Sequence, residues 1–147
     1  AAVTGAYRKA IDAYLKEGKD WIFRESWLEE TGKASHREYT TGFYFGKTGE
    51  KDQNYESSQY IREYEFTGLV RDYDPATGLA RVEQRNKMSI GDEIELTGPG
   101  IEPFTQILEF MQNEEGEAIE HAPHAQQIIK IKTNQPVGKN YMVSKPK

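Results

Sequence analysis

His36, His121 and His124 are the only imidazoles in this 147-residue chain, so any general-base or metal chemistry that uses histidine must be built on one of them. Glu114, Glu115, Glu117 and Glu120 run up to His121 and His124, bringing together the carboxylate and imidazole ligands that a divalent cation accepts. Their spacing matches neither a zinc-protease helix nor a calcium loop, and the acidic run around Gly116 reads as a charged hairpin tip. Gly46-Lys47-Thr48 has the look of a phosphate loop, yet the first glycine of that loop should stand where Thr41 is, and no helical pattern follows the Lys-Thr. No serine sits in a G-x-S-x-G elbow. Cysteine is absent, which removes a thiol nucleophile, a thiolate metal cage and disulfide staples. Carboxylates are abundant, but nothing singles out a catalytic pair. The residues therefore assign no catalytic group, no metal and no cofactor.

The remaining candidate is the stretch His36 to Gly46, HREYTTGFYFG, with four aromatic rings, two glycines and a His-Arg pair. Tyr39, Phe43 and Phe45 alternate, which predicts one face of a strand turned to a core, each ring worth about 1.5 to 3 kcal/mol when buried. Tyr44, out of phase, and the pair His36 and Arg37 are then free to stack on a partner or hydrogen-bond to it.

The elements that would position these residues can be read from periodicity. Tyr7, Ala10, Ile11, Tyr14 and Leu15 recur at helical spacing after a capping Thr4 and stop at Gly18. A second helix is expected from Asp20 to Gly32, with Trp21, Phe23, Trp27 and Leu28 on its apolar faces. Helices this short are marginal alone, so they must lie on something. From Ser35 the period becomes that of strands. Tyr60 to Tyr73, a turn at Asp74-Pro75-Ala76-Thr77-Gly78 and a return strand with Ala80 and Val82 inward predict a hairpin. Gly91-Asp92 turns the chain into Ile94 and Leu96 inward, Glu93 and Glu95 outward, and Gly98-Pro99-Gly100 ends that strand. Further strands are expected near 104–111, 126–132 and 141–144. The fold class is mainly β: a small β-barrel preceded by two short N-terminal helices, with residues 1–34 a helical docking segment and 35–147 the barrel. The polar stretch 46–58 reads as a long loop.

A formal net charge of -5 argues against broad nonspecific DNA binding, which depends on neutralising many phosphates. The charge is unevenly spread, since residues 101–129 hold six glutamates and no Lys or Arg, whereas Lys130, Lys132, Lys139, Lys145 and Lys147 close the chain without an acid. No apolar run is long enough to span a bilayer, no signal-peptide block opens the chain, and the composition is that of a cytoplasmic protein with no membrane partner.

The blocks SHREYTTGFYFGK and QNYESSQYIREYEFTGLVRDYDPATGLARVEQRNKMSIGDEIELTGPG resemble the C-terminal domain of the collagenase-like peptidases, family U32 of unknown catalytic type, and the likeness runs through essentially the whole chain. VEQRNKMSIGDEIE also resembles the barrel of translation-factor second domains. The resemblance implies an accessory barrel whose catalytic domain lies elsewhere in a longer protein. Its members are classed as peptidases, and related proteins take part in hydroxylating transfer-RNA uridines. Two expectations follow: a non-catalytic lid or substrate-recruiting barrel that contacts its own catalytic domain and a peptide or protein substrate, or a barrel that contacts transfer RNA. The candidate contact residues are His36, Arg37, Tyr44, Arg85 and Asn86. For the second expectation, Arg81, Arg85 and Lys87 would share one strand face.

Overall fold

The turn at residues 74–78 sets the frame of the β region in the computed structural model, which describes residues 2–37, 39–49, 61 and 63–147. β1 (Tyr64–Asp74) and β2 (Leu79–Gln84) pair antiparallel, with Asp74 opposite Leu79. Gly78 takes φ 68, a conformation that side chains with a Cβ rarely adopt, and its N–H donates to the Asp74 carbonyl at 2.7 Å. The Asp74 carboxylate accepts the Thr77 hydroxyl at 2.6 Å and the Ala76 N–H at 2.9 Å. These bonds, the one from Thr77 foremost, hold its carboxyl below the usual carboxylate range.

The remaining strands are β3 (Met88–Ser89), β4 (Glu93–Thr97), β5 (Phe104–Ile107), β6 (Met111–Gln112), β7 (His121–Ala122), β8 (Ile128–Lys132) and β9 (Met142–Pro146). Seven of them form one sheet in the order β5-β4-β9-β1-β2-β8-β6, and β3 pairs with β7. Every pairing is antiparallel. β1 slips register twice, between Phe66 and Gly68 against β9 and between Val70 and Asp72 against β2. Such bulges bend a strand and increase its twist, and here the sheet curls around one core. Val70, Ala80, Val82, Ile94, Leu96 and Ile131 are fully buried within it. The result is the expected architecture, two helices followed by a curled antiparallel half-barrel.

Glu95 departs from expectation: it was placed outward by alternation, yet it is buried between Thr105 on β5 and Ser144 on β9. Lateral cover from two neighbouring strands, which alternation does not encode, encloses it.

Gln106 ties the two ends of the curled sheet together. It sits on the edge strand β5, and its Nε2 donates to the Lys132 carbonyl at 2.8 Å while its Oε1 accepts the Asn134 N–H at 2.9 Å. Gln106→Leu keeps the bulk but leaves both backbone groups unpaired, and the half-barrel should lose about 2 kcal/mol. Urea unfolding of the two proteins measures this, and an unchanged midpoint would show that the seam is held elsewhere.

By internal packing the chain divides into residues 2–63 and 64–147, and the sheet begins at Tyr64. In the first unit, α1 (Ala2–Glu17) ends before Gly18, whose φ of 59 stops it as expected. α1 already includes Thr4, so that residue is not its cap. Residues 18–20 form a 3-10 turn, and α2 (Glu25–Gly32) starts five positions later than the expected Asp20, because Arg24 before it is extended. Ala6 and Trp27 are buried between these elements. Trp27 stacks on Trp21 at 5.8 Å, meets Phe23 edge-on at 5.9 Å and carries the Arg24 guanidinium over its ring at 5.0 Å.

The strand expected through Tyr39, Phe43 and Phe45 does not form. Gly42 and Gly46, at φ 50 and 145, bracket a run of turns, in which the Tyr44 N–H donates to the Thr41 carbonyl and the Gly46 N–H to the Phe43 carbonyl. Phe43, Tyr44 and Phe45 are 79%, 86% and 82% exposed. Alternating rings make a strand only when a neighbouring strand accepts their backbone bonds, and these bonds close locally. Most of the expected loop, residues 50–58, lies outside the described residues, as does Tyr60.

Candidate functional site

The outer surface of β1, β2 and β8 gathers cations that are far apart in the sequence. On β2, Ala80, Val82 and Gln84 point into the core, so Arg81 and Glu83 point away. On β8, Ile129 and Ile131 point in, and Lys130 and Lys132 point out. The register then sets Arg81 directly opposite Lys130, and Lys132 opposite Leu79 one row along the same face. Like charges directly across a strand pair repel and weaken the sheet. On its other side Arg81 stands opposite Asp72 of β1, so the excess positive charge of the row lies toward Lys130.

The partners of these three groups are weak. Arg81 reaches Glu114 at 2.7 Å, with both side chains about half exposed, and such a pair is worth about 0 to 1 kcal/mol after solvent screening. The Lys132 ammonium donates to the Thr77 carbonyl and keeps further protons to give. Among the described residues the Lys130 ammonium has no hydrogen-bond or ion-pair partner. The row therefore carries two carboxylates, Asp72 and Glu114, at its Arg81 end, and leaves Lys130 and Lys132 as the outward cations able to meet an anionic group.

Arg85 and Asn86 were expected to be contact residues, and both are occupied by the fold. Glu83 is clamped between Arg71 at 2.5 Å and Arg85 at 2.6 Å. The Asn86 side chain donates to the Phe66 carbonyl at 2.7 Å, while the Arg85 and Asn86 N–H groups both donate to the Thr67 carbonyl. Together they brace the first bulge of β1. Lys87, expected on the face with Arg81, lies beyond the end of β2, and its carbonyl accepts the Lys145 ammonium at 3.0 Å.

His36, Arg37 and Tyr44 belong to the other unit. His36 bridges by backbone to Ile61, donates from Nδ1 to the Arg37 carbonyl at 2.6 Å, and stacks on Tyr39 with ring centroids 4.2 Å apart. The Tyr39 hydroxyl donates to the Thr31 carbonyl at 3.1 Å. Tyr44 instead meets Phe45 edge-on at 5.2 Å. Within their unit the expected residues form two arrangements, His36 with Arg37 and Tyr39, and Tyr44 with Phe45, while Arg85 and Asn86 belong to the half-barrel.

The acidic stretch before His121 is the expected hairpin tip. Gly116 takes φ 90, and Asn113 and Glu117 hydrogen-bond to each other across the turn. His121 Nδ1 lies 3.1 Å from the Ser89 hydroxyl. Among the described residues no group of three His, Asp or Glu side chains is arranged to hold a metal ion. Nor, among them, is any helix long and apolar enough to cross a membrane.

With the half-barrel and its basic strip described, comparison with known proteins gives the family of the chain. Residues 62–143 match the family described as "Peptidase family U32 C-terminal domain", and residues 1–54 match "Peptidase family U32"; the chain belongs to peptidase family U32. The half-barrel is similar to the crystal structure of the C-terminal domain of a protein described as a U32 peptidase from Geobacillus thermoleovorans. That likeness has a TM-score of 0.54 and 47% identity, over 55% of this chain and 99% of that one. Over 147 residues the chain is 36% identical to "tRNA hydroxylation protein P1" of Bacillus subtilis, covering 100% of this chain and 35% of that protein. It is 30% identical over 128 residues to a "Collagenase" of Porphyromonas gingivalis, covering 86% of this chain and 35% of that protein. The chain spans about a third of the length of these curated relatives.

Proposed function

We propose that this chain is a non-catalytic, RNA-contacting part of a U32-family protein acting on transfer RNA, and that its half-barrel holds the phosphate backbone through Arg81, Lys130 and Lys132. The observation that carries this reading is Lys130, set beside Arg81 and Lys132 on the outer face of β2 and β8 with no hydrogen-bond or ion-pair partner for its ammonium among the described residues, a partner that a phosphate lying over the row would supply. Support comes also from the relative named for tRNA hydroxylation, which matches along the whole chain and at higher identity than the collagenase. The role is one of positioning: a rigid barrel that grips the substrate away from the reacting atoms raises the chance of productive geometry at a site elsewhere. Such work places the protein in the cytoplasm, with transfer RNA.

Titrating the chain with transfer RNA at 50 and 200 mM salt tests it. Three cations neutralising three phosphates give a slope of about -2 to -3 in log affinity against log salt, so binding should weaken about 20- to 40-fold over that range. No binding, or a change smaller than about threefold, sinks the reading. A second reading keeps the expectation of a lid or peptide-recruiting surface for a collagenase-like peptidase, and it rests on the exposed rings of Phe43, Tyr44 and Phe45. It calls for gelatin binding that barely responds to salt and is lost in Tyr44→Ala.

A further inference from the structure

α1 is packed the wrong way round for a protein that stands alone. Its small residues Ala2, Ala6, Ala10 and Ala13 are the more buried positions, whereas Val3, Tyr7, Ile11, Tyr14 and Leu15 are exposed, Tyr7 to 67% and Leu15 to 73%. At 100° per residue those five fall on one stripe that also holds Thr4, with Arg8 of the exposed Arg8–Asp12 ion pair at its Leu15 edge. The buried hydrophobic residues of this unit are Ala6 and Trp27, among the described residues, and most of the chain's exposed large hydrophobics lie in it although it is the smaller unit. By contrast the half-barrel encloses a full core, and a similar domain was crystallised by itself. Monomeric proteins rarely leave so much contiguous apolar surface uncovered.

We infer that residues 2–63 are the end of a larger U32 body, and that the Val3–Tyr7–Ile11–Leu15 stripe docks on the remaining two-thirds of a longer polypeptide. Two observations select this occupant. The family match divides where the packing divides, residues 1–54 matching the main family and 62–143 its C-terminal domain. The relatives also contain about twice as much chain again beyond what this sequence covers. A helix that keeps its alanines for α2 and its large side chains for the other side is the outer layer of that body seen from within. The inference is independent of any RNA contact.

Hydrogen exchange tests it on two proteins: the chain alone, and the chain joined to the part of the Bacillus subtilis relative that it does not match. Backbone amides of α1 should exchange rapidly in the first and at least about 100-fold more slowly in the second, because burial of the stripe couples α1 to a cooperative unit. Tyr7→Lys with Leu15→Lys should restore rapid exchange in the joined protein and leave the half-barrel amides unchanged. Three results overturn the inference: slow exchange of α1 in the isolated chain, protection that grows with its concentration and so marks a second copy as the occupant, or rapid exchange in a joined protein whose body is otherwise protected. Should the joined protein not fold, the two lysines go into the matching positions of the Bacillus subtilis relative itself, where loss of helix protection is expected and unchanged exchange refutes the docking.

Discussion

Gly98→Ala should cost the half-barrel about 3 kcal/mol, at the upper end of what overpacking usually does. Backbone strain is not the reason, since Gly98 does not occupy the left-handed region. The reason is the Tyr141 ring, which lies across the glycine so closely that an added Cβ would fall 2.1 Å from Cδ1 and 2.3 Å from Cγ. The ring is held from several directions. The Tyr141 hydroxyl donates to the Pro99 carbonyl at 3.0 Å, its N–H donates to the Gly138 carbonyl, and its own carbonyl accepts the Val70 N–H at 2.8 Å. Asn140, beside it, takes φ 70 and donates to the Val70 carbonyl. Moving the ring therefore disturbs the junction of β1, β4 and β9. The check is a double-mutant cycle by urea unfolding with Tyr141→Ala. That change removes the obstacle, so Gly98→Ala should cost under about 1 kcal/mol in its presence. Strict additivity would mean that the clash is not what makes the glycine necessary.

The sequence showed the half-barrel best wherever a strand has one wet face. Ala80 and Val82, Ile94 and Leu96 announced their inward side by alternation, and Asp74 to Gly78 announced the turn by its Pro and Gly. Two-residue strands such as Met88–Ser89 and His121–Ala122 are too short to carry a period and exist only because each finds the other. The aromatic stretch misled for a related reason. Tyr39, Phe43 and Phe45 have the period of a strand, but a period states which side chains share a face and not whether a partner backbone lies alongside. The candidate site was half legible. Arg81 was on a face read correctly, and Lys130 and Lys132 stood out as the start of a basic strip; that the two meet depends on the β2–β8 register. Arg85 and Asn86 stand out by type alone, and the bulge that their backbone N–H groups and the Asn86 side chain brace is invisible in sequence.

Lys130→Glu offers the sharpest separation between a surface that serves the fold and one that serves a ligand. In the folded chain Lys130 faces Arg81, so a carboxylate there converts a cross-strand repulsion into an attraction worth about 0.2 to 1 kcal/mol, and thermal unfolding should move up or stay level. Transfer RNA affinity should fall at least about tenfold at 100 mM salt, because an attraction to a phosphate becomes a repulsion. Binding then falls while stability does not, which no damage to the fold can imitate. The triple change Arg81→Ala, Lys130→Ala and Lys132→Ala extends the test: affinity should drop about 100-fold or more, and the salt slope should shrink by about 2 to 3, roughly one for each phosphate contact removed. Lys139→Ala with Lys147→Ala removes an equal kind of charge from outside the strip and should leave the slope nearly intact. If the two sets weaken binding alike, net charge governs the association, and the β2–β8 register has no part in it.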